Sequence, residues 1–183
     1  MAAFSGKKNS MSQKKKALFL DRDGVINEDS EYPHKPEHIV FKSAVFDLCR
    51  AALDKGYVIV VVTNQAGVAK GRFTEADVQS LHRWMAQRFL EKGILVSGFY
   101  YCPFHKNAIV EEYKKDSDCR KPGPGMFLSA AKDLDIDLSK SIMVGDKQSD
   151  RIDLSELKCY VIKSGYSGDK FDFDDLDKVR EIL

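Results

Sequence analysis

KALFLDRDGVIN, residues 16–27, runs from an apolar stretch directly into two aspartates, Asp21 and Asp23, one residue apart. The apolar part is continuous rather than alternating, the pattern of a strand buried on both faces of a parallel sheet. A strand over 16–21 therefore ends at Asp21, and the chain turns with Asp23 just beyond. Two like charges at so crowded a spot repel one another. Either something cationic shares the site or the pair is accidental, and the rest of the chain decides which.

Working outward, four further strands are expected at YVIVVVT (57–63), ILVSGFYY (94–101), SIMVGD (141–146) and KCYVIKS (158–164). Helical stretches lie between them. SAVFDLCRAALDKG (43–56) ends at Gly56, a natural left-handed cap. In FTEADVQSLHRWMAQRFLEKG (73–93), Thr74 caps the helix, Asp77 favours its positive first turn, and Phe73 staples onto Val78. Val78, Leu81, Trp84, Met85 and Phe89 form its apolar face, and Gly93 stops it. A third helix starts near the prolines of KPGPGM (121–126) and runs through FLSAAKDL. This βαβα order predicts a three-layer α/β/α, Rossmann-like fold with a mostly parallel central sheet. The segments after Asp23 and from 94 to 120 are too short for a large cap domain, so loops alone must enclose a ligand.

In such sheets ligands sit at the carboxyl ends of the strands. That rule selects Asp21 and Asp23 after the first strand, Thr63, Asn64 and Gln65 at the end of the second, and Asp146 at the end of the fourth. Lys121 precedes the third helix. Asp21, Asp23 and Asp146 are a cluster of negative charge that a hard divalent cation relieves. Oxygen ligands with few carboxylates suit Mg²⁺, which keeps waters and leaves room for a phosphate oxygen. An aspartate, with a reference pKa of about 3.9, is ionised at neutral pH and needs no base to attack phosphorus. Repulsion from its neighbour is expected to raise the pKa of Asp23, fitting it to protonate a leaving oxygen and later deprotonate water. Lys121 and the Thr63 hydroxyl would hold non-bridging phosphoryl oxygens. Asp150 is spaced to orient the metal shell from just beyond Asp146.

With these residues in view the chain resembles the haloacid dehalogenase superfamily, whose four motifs stand here as DRDGVIN (21–27), TNQ (63–65), the lysine of CRKP (119–122) and GDKQSD (145–150). YCPFH, CRKPGPGM, VVVTNQAGVAKGRFTEA and MVGDK are similar to its branch of D-glycero-D-manno-heptose 1,7-bisphosphate phosphatases and the related histidinol phosphatases. The resemblance runs from about residue 16 to 165. It implies a Mg²⁺-dependent phosphatase of small phosphorylated sugars working through an aspartyl-phosphate, with Asp21 as nucleophile and Asp23 as acid/base. Asp21, Asp146 and the backbone carbonyl of Asp23 would bind Mg²⁺. Thr63, Asn64, Gln65, Arg120, Lys121 and Lys147 would grip phosphate or sugar. Heptose bisphosphate is the expected substrate and histidinol phosphate the alternative.

Two stretches depart from that family's pattern. A zinc loop of form C-x-H followed by C-x-C reads here Cys102-Pro103-Phe104-His105 and Ser117-Asp118-Cys119. Cys102, His105 and Cys119 leave three soft ligands where a structural Zn²⁺ wants four, so the expectation is a loop packed by its own aromatics and prolines. The segment after Asp150, RIDLSELKCYVIKS, is shorter than a usual helix-loop-strand, and the acidic end FDFDDLDKVREIL is brief. His34, His38 and His82 read as surface or loop histidines, while Lys70 and Arg72 are placed where a distal phosphate could meet them.

The bulk numbers fit a single domain. Of 183 residues 43% are hydrophobic and 31% charged, ordinary for a chain with a real core. A net charge of +1 gives no case for nucleic acid or an anionic membrane. No apolar run is long enough to span a bilayer. Four scattered cysteines and a polar, lysine-rich start without a secretory signal point to a reducing cytoplasm, and the chain is expected to be a monomer. Residues 1–15 read as a flexible tail and 16–183 as the catalytic domain. The rival class is a receiver-type regulatory domain, which also gathers aspartates, a hydroxyl and a lysine. It lacks a second carboxylate two residues after the first, so the D-x-D favours turnover.

Overall fold

A computed structural model describes residues 13–183. Strands β1 (Lys16–Leu20), β2 (Tyr57–Asn64), β3 (Val96–Cys102), β4 (Ile142–Gly145) and β5 (Lys158–Val161) form one parallel sheet in the order β3-β2-β1-β4-β5. Helices α1 (Ser43–Asp54), α3 (Glu75–Leu90) and α5 (Leu176–Glu181) cover one face and α4 (Gly125–Leu134) the other, with a one-turn α2 (Ala66–Ala69) after β2. This is the expected three-layer fold, and no second domain is inserted among the described residues. No helix there is long and apolar enough to cross a membrane.

Alternation along the strands feeds both faces. Leu18, Leu20, Ile59 and Val61 pack with Leu48, Leu81, Met85 and Phe89, while Ala17, Phe19, Val60 and Val62 meet Met126, Phe127 and Ala130. All of Ala17–Leu20 are fully buried, as a continuous apolar run at the sheet centre requires. β3 begins two residues later than expected and is half-buried because it is an edge strand.

Thr74 and Asp77 form a reciprocal cap on α3, with Asp77 N donating to Thr74 Oγ1 at 3.2 Å and Thr74 N to Asp77 Oδ2 at 2.8 Å. Phe73 and Val78 share a small apolar cluster, as the staple predicts. His82 departs from its expected exposure. It lies on the inward side of α3, buried and stacked on Phe99.

The C-terminal stretch is more built than its composition suggests. Asp175 caps α5, and Leu176 and Val179 are buried in the core that α1 shares. Between β4 and β5 there is only a 3-10 turn (Gln148–Asp150), with Ile152 and Leu157 buried in the core on the α4 side. The expected tail over 1–15 ends too late, since Lys15 already exchanges backbone hydrogen bonds with Asp135 and Asp137. Residues 1–12 lie outside the described residues.

Candidate active site

The chain reverses its direction of sheet growth between β1 and β4, and the crevice outside their carboxyl ends is the natural ligand position. Asp21 and Asp146 follow those two neighbouring strands. Glycines allow the crowding. A Cβ on Gly24, whose φ is +89°, would come 2.3 Å from Asp146 Oδ2, and one on Gly145 would come 2.1 Å from Asp150 Cβ. Asp21, Asp146 and Asp150 consequently offer ligand atoms within 4.8 Å of one another.

Lys121 enters this acidic cluster from before α4. Its Nζ lies 2.9 Å from Asp21 Oδ1 and 2.6 Å from Asp150 Oδ1, and donates to the Val62 carbonyl at 3.1 Å. Burial alone would lower the Lys121 pKa, but Asp150 and Asp21 prevail and hold it above the ordinary lysine range. Asn64 clamps the Lys121 backbone at both ends of its amide, accepting from Lys121 N at 3.0 Å and donating to Lys121 O at 3.2 Å. Asp150 Oδ2 accepts from the Asp146 and Lys147 amides at 3.1 and 2.9 Å. Ser164 Oγ donates to the Asp146 carbonyl at 2.7 Å, so the C-terminal loop also braces the site.

Both carboxylate oxygens of Asp146 are buried without a hydrogen-bond partner. A buried charge left this way costs several kcal/mol unless a cation meets it. Burial, chiefly, pushes Asp146 up to about 6. Asp21 is pushed up to about 7, by burial first and then by Asp150 and Asp23 against the pull of Lys121. Burial thus opposes the ionised Asp21 expected from the sequence, and Lys121 at 2.9 Å favours it. An all-oxygen donor set with orphaned carboxylate oxygens fits Mg²⁺.

Asp23 corrects a second expectation. Burial would raise its pKa, yet Arg22 together with Asn27 and Gln65 outweighs burial and holds the carboxyl below its usual range. Arg22 is itself buried and grips Asp23 with both Nε (3.0 Å) and NH2 (2.8 Å). Asn27 and Gln65 donate to the same carboxylate at 3.0 and 3.2 Å. Arg22 NH2 also reaches Pro33 O and Gln65 Oε1, and its NH1 lies 3.4 Å from His82 Nε2. His82 is pushed down to about 3 by burial and then Arg22, and so stays neutral. Between the two aspartates that the sequence marks as functional, Arg22 holds the network together.

Asp21, Asp23, Thr63, Asn64, Arg120, Lys121 and Lys147 line one cavity of about 150 Å³ with Ser149. Gln65 faces a neighbouring cavity of about 290 Å³ that shares Asp23, Asn64 and Lys147 as walls. Gln65 Nε2 also donates to Thr63 Oγ1 at 2.9 Å. Lys147 Nζ pairs with Asp29 at 2.9 Å, and Arg120 keeps a buried NH1 without a partner. Beyond Glu31 and Tyr32, which both spaces share, lies an outer pocket of about 490 Å³ carrying His34, Lys70 and Arg72.

The loop after β3 packs Cys119 against the apolar cluster that contains Cys102, and Ser117 Oγ donates to Cys119 Sγ at 3.2 Å. His105 Nδ1 accepts from Asn107 N at 3.0 Å within its own turn. These residues form no group of three with ligand atoms within 4.8 Å among the described residues. Phe104 fills the loop against Tyr113 and Lys115.

Asp21, Thr63, Lys121 and Asp146 gather at the carboxyl edge of a parallel sheet, and comparison with known proteins makes the chain a phosphatase of the haloacid dehalogenase class. The family model described as polynucleotide kinase 3 phosphatase matches residues 17–179, and the chain belongs to that family. It is 48% identical over 136 residues to the D-glycero-beta-D-manno-heptose-1,7-bisphosphate 7-phosphatase of Vibrio cholerae, covering 74% of this chain and 73% of that protein. It is 47% identical over 137 residues to the D-glycero-alpha-D-manno-heptose-1,7-bisphosphate 7-phosphatase of Burkholderia mallei, covering 75% and 72%. The solved D,D-heptose 1,7-bisphosphate phosphatase of B. bronchiseptica, complexed with magnesium and phosphate, superposes with a TM-score of 0.75 at 25% identity, covering 92% of this chain and 97% of that one.

Proposed function

We propose that this protein is a Mg²⁺-dependent phosphomonoester hydrolase that removes the 7-phosphate of D-glycero-D-manno-heptose 1,7-bisphosphate, a step in making nucleotide-activated heptose for surface polysaccharide. The observation that carries the reading is the set of three cavities with shared walls, acidic and lysine-lined at the strand ends and cationic at Lys70 and Arg72. A small sugar with an anion at each end matches that charge order. Relatives named for both anomers, at 48% and 47% identity, support the substrate class equally.

Asp21, Asp146 and the Asp23 carbonyl would hold Mg²⁺, with Asp150 behind them fixing Lys121 and the Asp146 backbone. When bound, Mg²⁺ supplies the charge that keeps Asp21 ionised and offsets its repulsion of a phosphate dianion. An Asp21 carboxylate oxygen attacks phosphorus as the bond to the sugar oxygen breaks. Lys121 and Thr63 hold the equatorial oxygens, where charge gathers. Asp23 gives its proton to the departing oxygen, then takes one from the water that cleaves the aspartyl-phosphate. Four donors now favour the Asp23 anion, which suits the second half. The first half requires that grip to loosen as the leaving oxygen arrives.

Incubation with the bisphosphate and Mg²⁺ tests the assignment. The expected products are heptose 1-phosphate and one phosphate per substrate. Release of the 1-phosphate instead, or turnover of histidinol phosphate alone, would overturn it.

A further inference from the structure

We propose that Tyr32 makes the protein selective for substrates carrying a second anionic group, by fixing Lys70 and Arg72 in the outer pocket. The inference rests on the reading of the site just given. Tyr32 lies in the loop from β1 to α1 with φ +57°, a left-handed conformation that bulky aromatic residues seldom adopt. Such strain persists only where the surroundings enforce it, and it gathers at ligand clamps. Here Arg22 NH2 donates to the next carbonyl, Pro33 O, at 2.9 Å, and the Tyr32 carbonyl lies 2.9 Å from His34 Nδ1. The Tyr32 side chain packs against the Val68, Phe73 and Val78 cluster.

The result is position. Tyr32 is a wall of both the outer pocket and the space next to the transfer cavity. The Arg72 guanidinium lies 4.8 Å from its ring centroid and Lys70 Nζ 5.1 Å, while Lys70 Nζ also donates to its hydroxyl. Neither cation joins a salt bridge among the described residues. Glu31 is the one acidic residue on the outer pocket's walls. Two cations without acidic partners, held on an aromatic ring, form an anion site in the outer pocket, which shares its Glu31 and Tyr32 walls with the space beside the transfer cavity. A monophosphate in the transfer cavity leaves that site unused. Tyr32 is a positioning residue: it acts through Lys70 and Arg72.

The test compares kcat/KM for heptose 1,7-bisphosphate and heptose 7-phosphate in wild type, Tyr32→Phe and Tyr32→Gly, alongside calorimetric binding of heptose 1-phosphate. Glycine takes the left-handed backbone readily, so it removes the ring while sparing the loop. Wild type should favour the bisphosphate by about tenfold or more, the worth of a charged hydrogen bond. Tyr32→Gly should bring the ratio near unity and weaken heptose 1-phosphate by about tenfold. Tyr32→Phe, which keeps ring and backbone but loses the Lys70 bond, should cost about threefold and decides the matter if the glycine variant fails to fold. A wild type that treats both substrates alike overturns this inference and the bisphosphate reading together. A selective wild type whose Tyr32 variants stay equally selective overturns the inference alone. Tyr32-dependent binding of heptose 1-phosphate without 7-phosphate release supports the inference and sinks the proposed reaction.

Discussion

Asn64 was expected to touch phosphate or sugar, yet both ends of its amide are given to the Lys121 backbone. Asn64→Ala should therefore act by displacing Lys121. A fall in kcat of about ten- to a hundredfold is expected, the usual cost of a roughly 1 Å misplacement, with a smaller change in KM. Steady-state kinetics that show only a raised KM would assign Asn64 to ground-state binding. Asp21→Asn should abolish turnover and leave the fold intact, since an amide does not attack phosphorus; wild-type-like activity, with deamidation excluded by mass, would disprove the nucleophile. A third prediction concerns thiols. The neighbouring Cys102 and the Ser117 hydroxyl bring Cys119 down to about 7, whereas burial pushes Cys49 up to about 12. Alkylation at neutral pH should mark Cys119 first, with a rate rising through pH 7, and spare Cys49. Asp21, Thr63, Lys121 and Asp146 were legible in the sequence because each is tied to a strand end or helix start. Arg22 and Tyr32 were not: a buried arginine reads like a solvated one until its partners are placed, and a strained tyrosine has no periodic signature.

At the scale of elements, α3 was readable because its local signals agreed: a capping pair, a staple, a 3.6-residue apolar stripe and a closing glycine. Thr74→Ala should cost about 1 kcal/mol in thermal unfolding, the usual worth of an N-cap. α5 was missed because it is six residues long and its two core residues are hidden in an acidic stretch. Its stability is tertiary, drawn from packing in the core it shares with α1. The loop between β3 and α4 offers Cys102, His105 and Cys119, three soft ligands where a structural zinc takes four. Metal analysis of protein purified without chelators should find far less than one zinc per chain, and stoichiometric zinc would reverse that reading.

The whole molecule carries a buried acidic cluster that its own lysine does not balance. Asp21 and Asp146 both have raised folded-state pKa values, about 7 and about 6. Their contribution to stability is full below the unfolded carboxylate range and is lost as pH rises through those values. Metal-free protein should thus lose stability between about pH 4 and 7, and Mg²⁺ should restore more of it at pH 7.5 than at pH 5. Melting curves with EDTA and with Mg²⁺ at the two pH values check this; equal shifts would remove these carboxylates from the metal site. The sheet order also bears on how the chain comes off the ribosome. β1 is made early, but its neighbour β4 and the bracing Ser164 come late. Until then Asp21 stands without Asp146 beside it, so the nascent chain is spared a clash of aspartates that only the finished sheet brings together. The acidic pair is therefore complete only once β4 has joined β1 in the sheet.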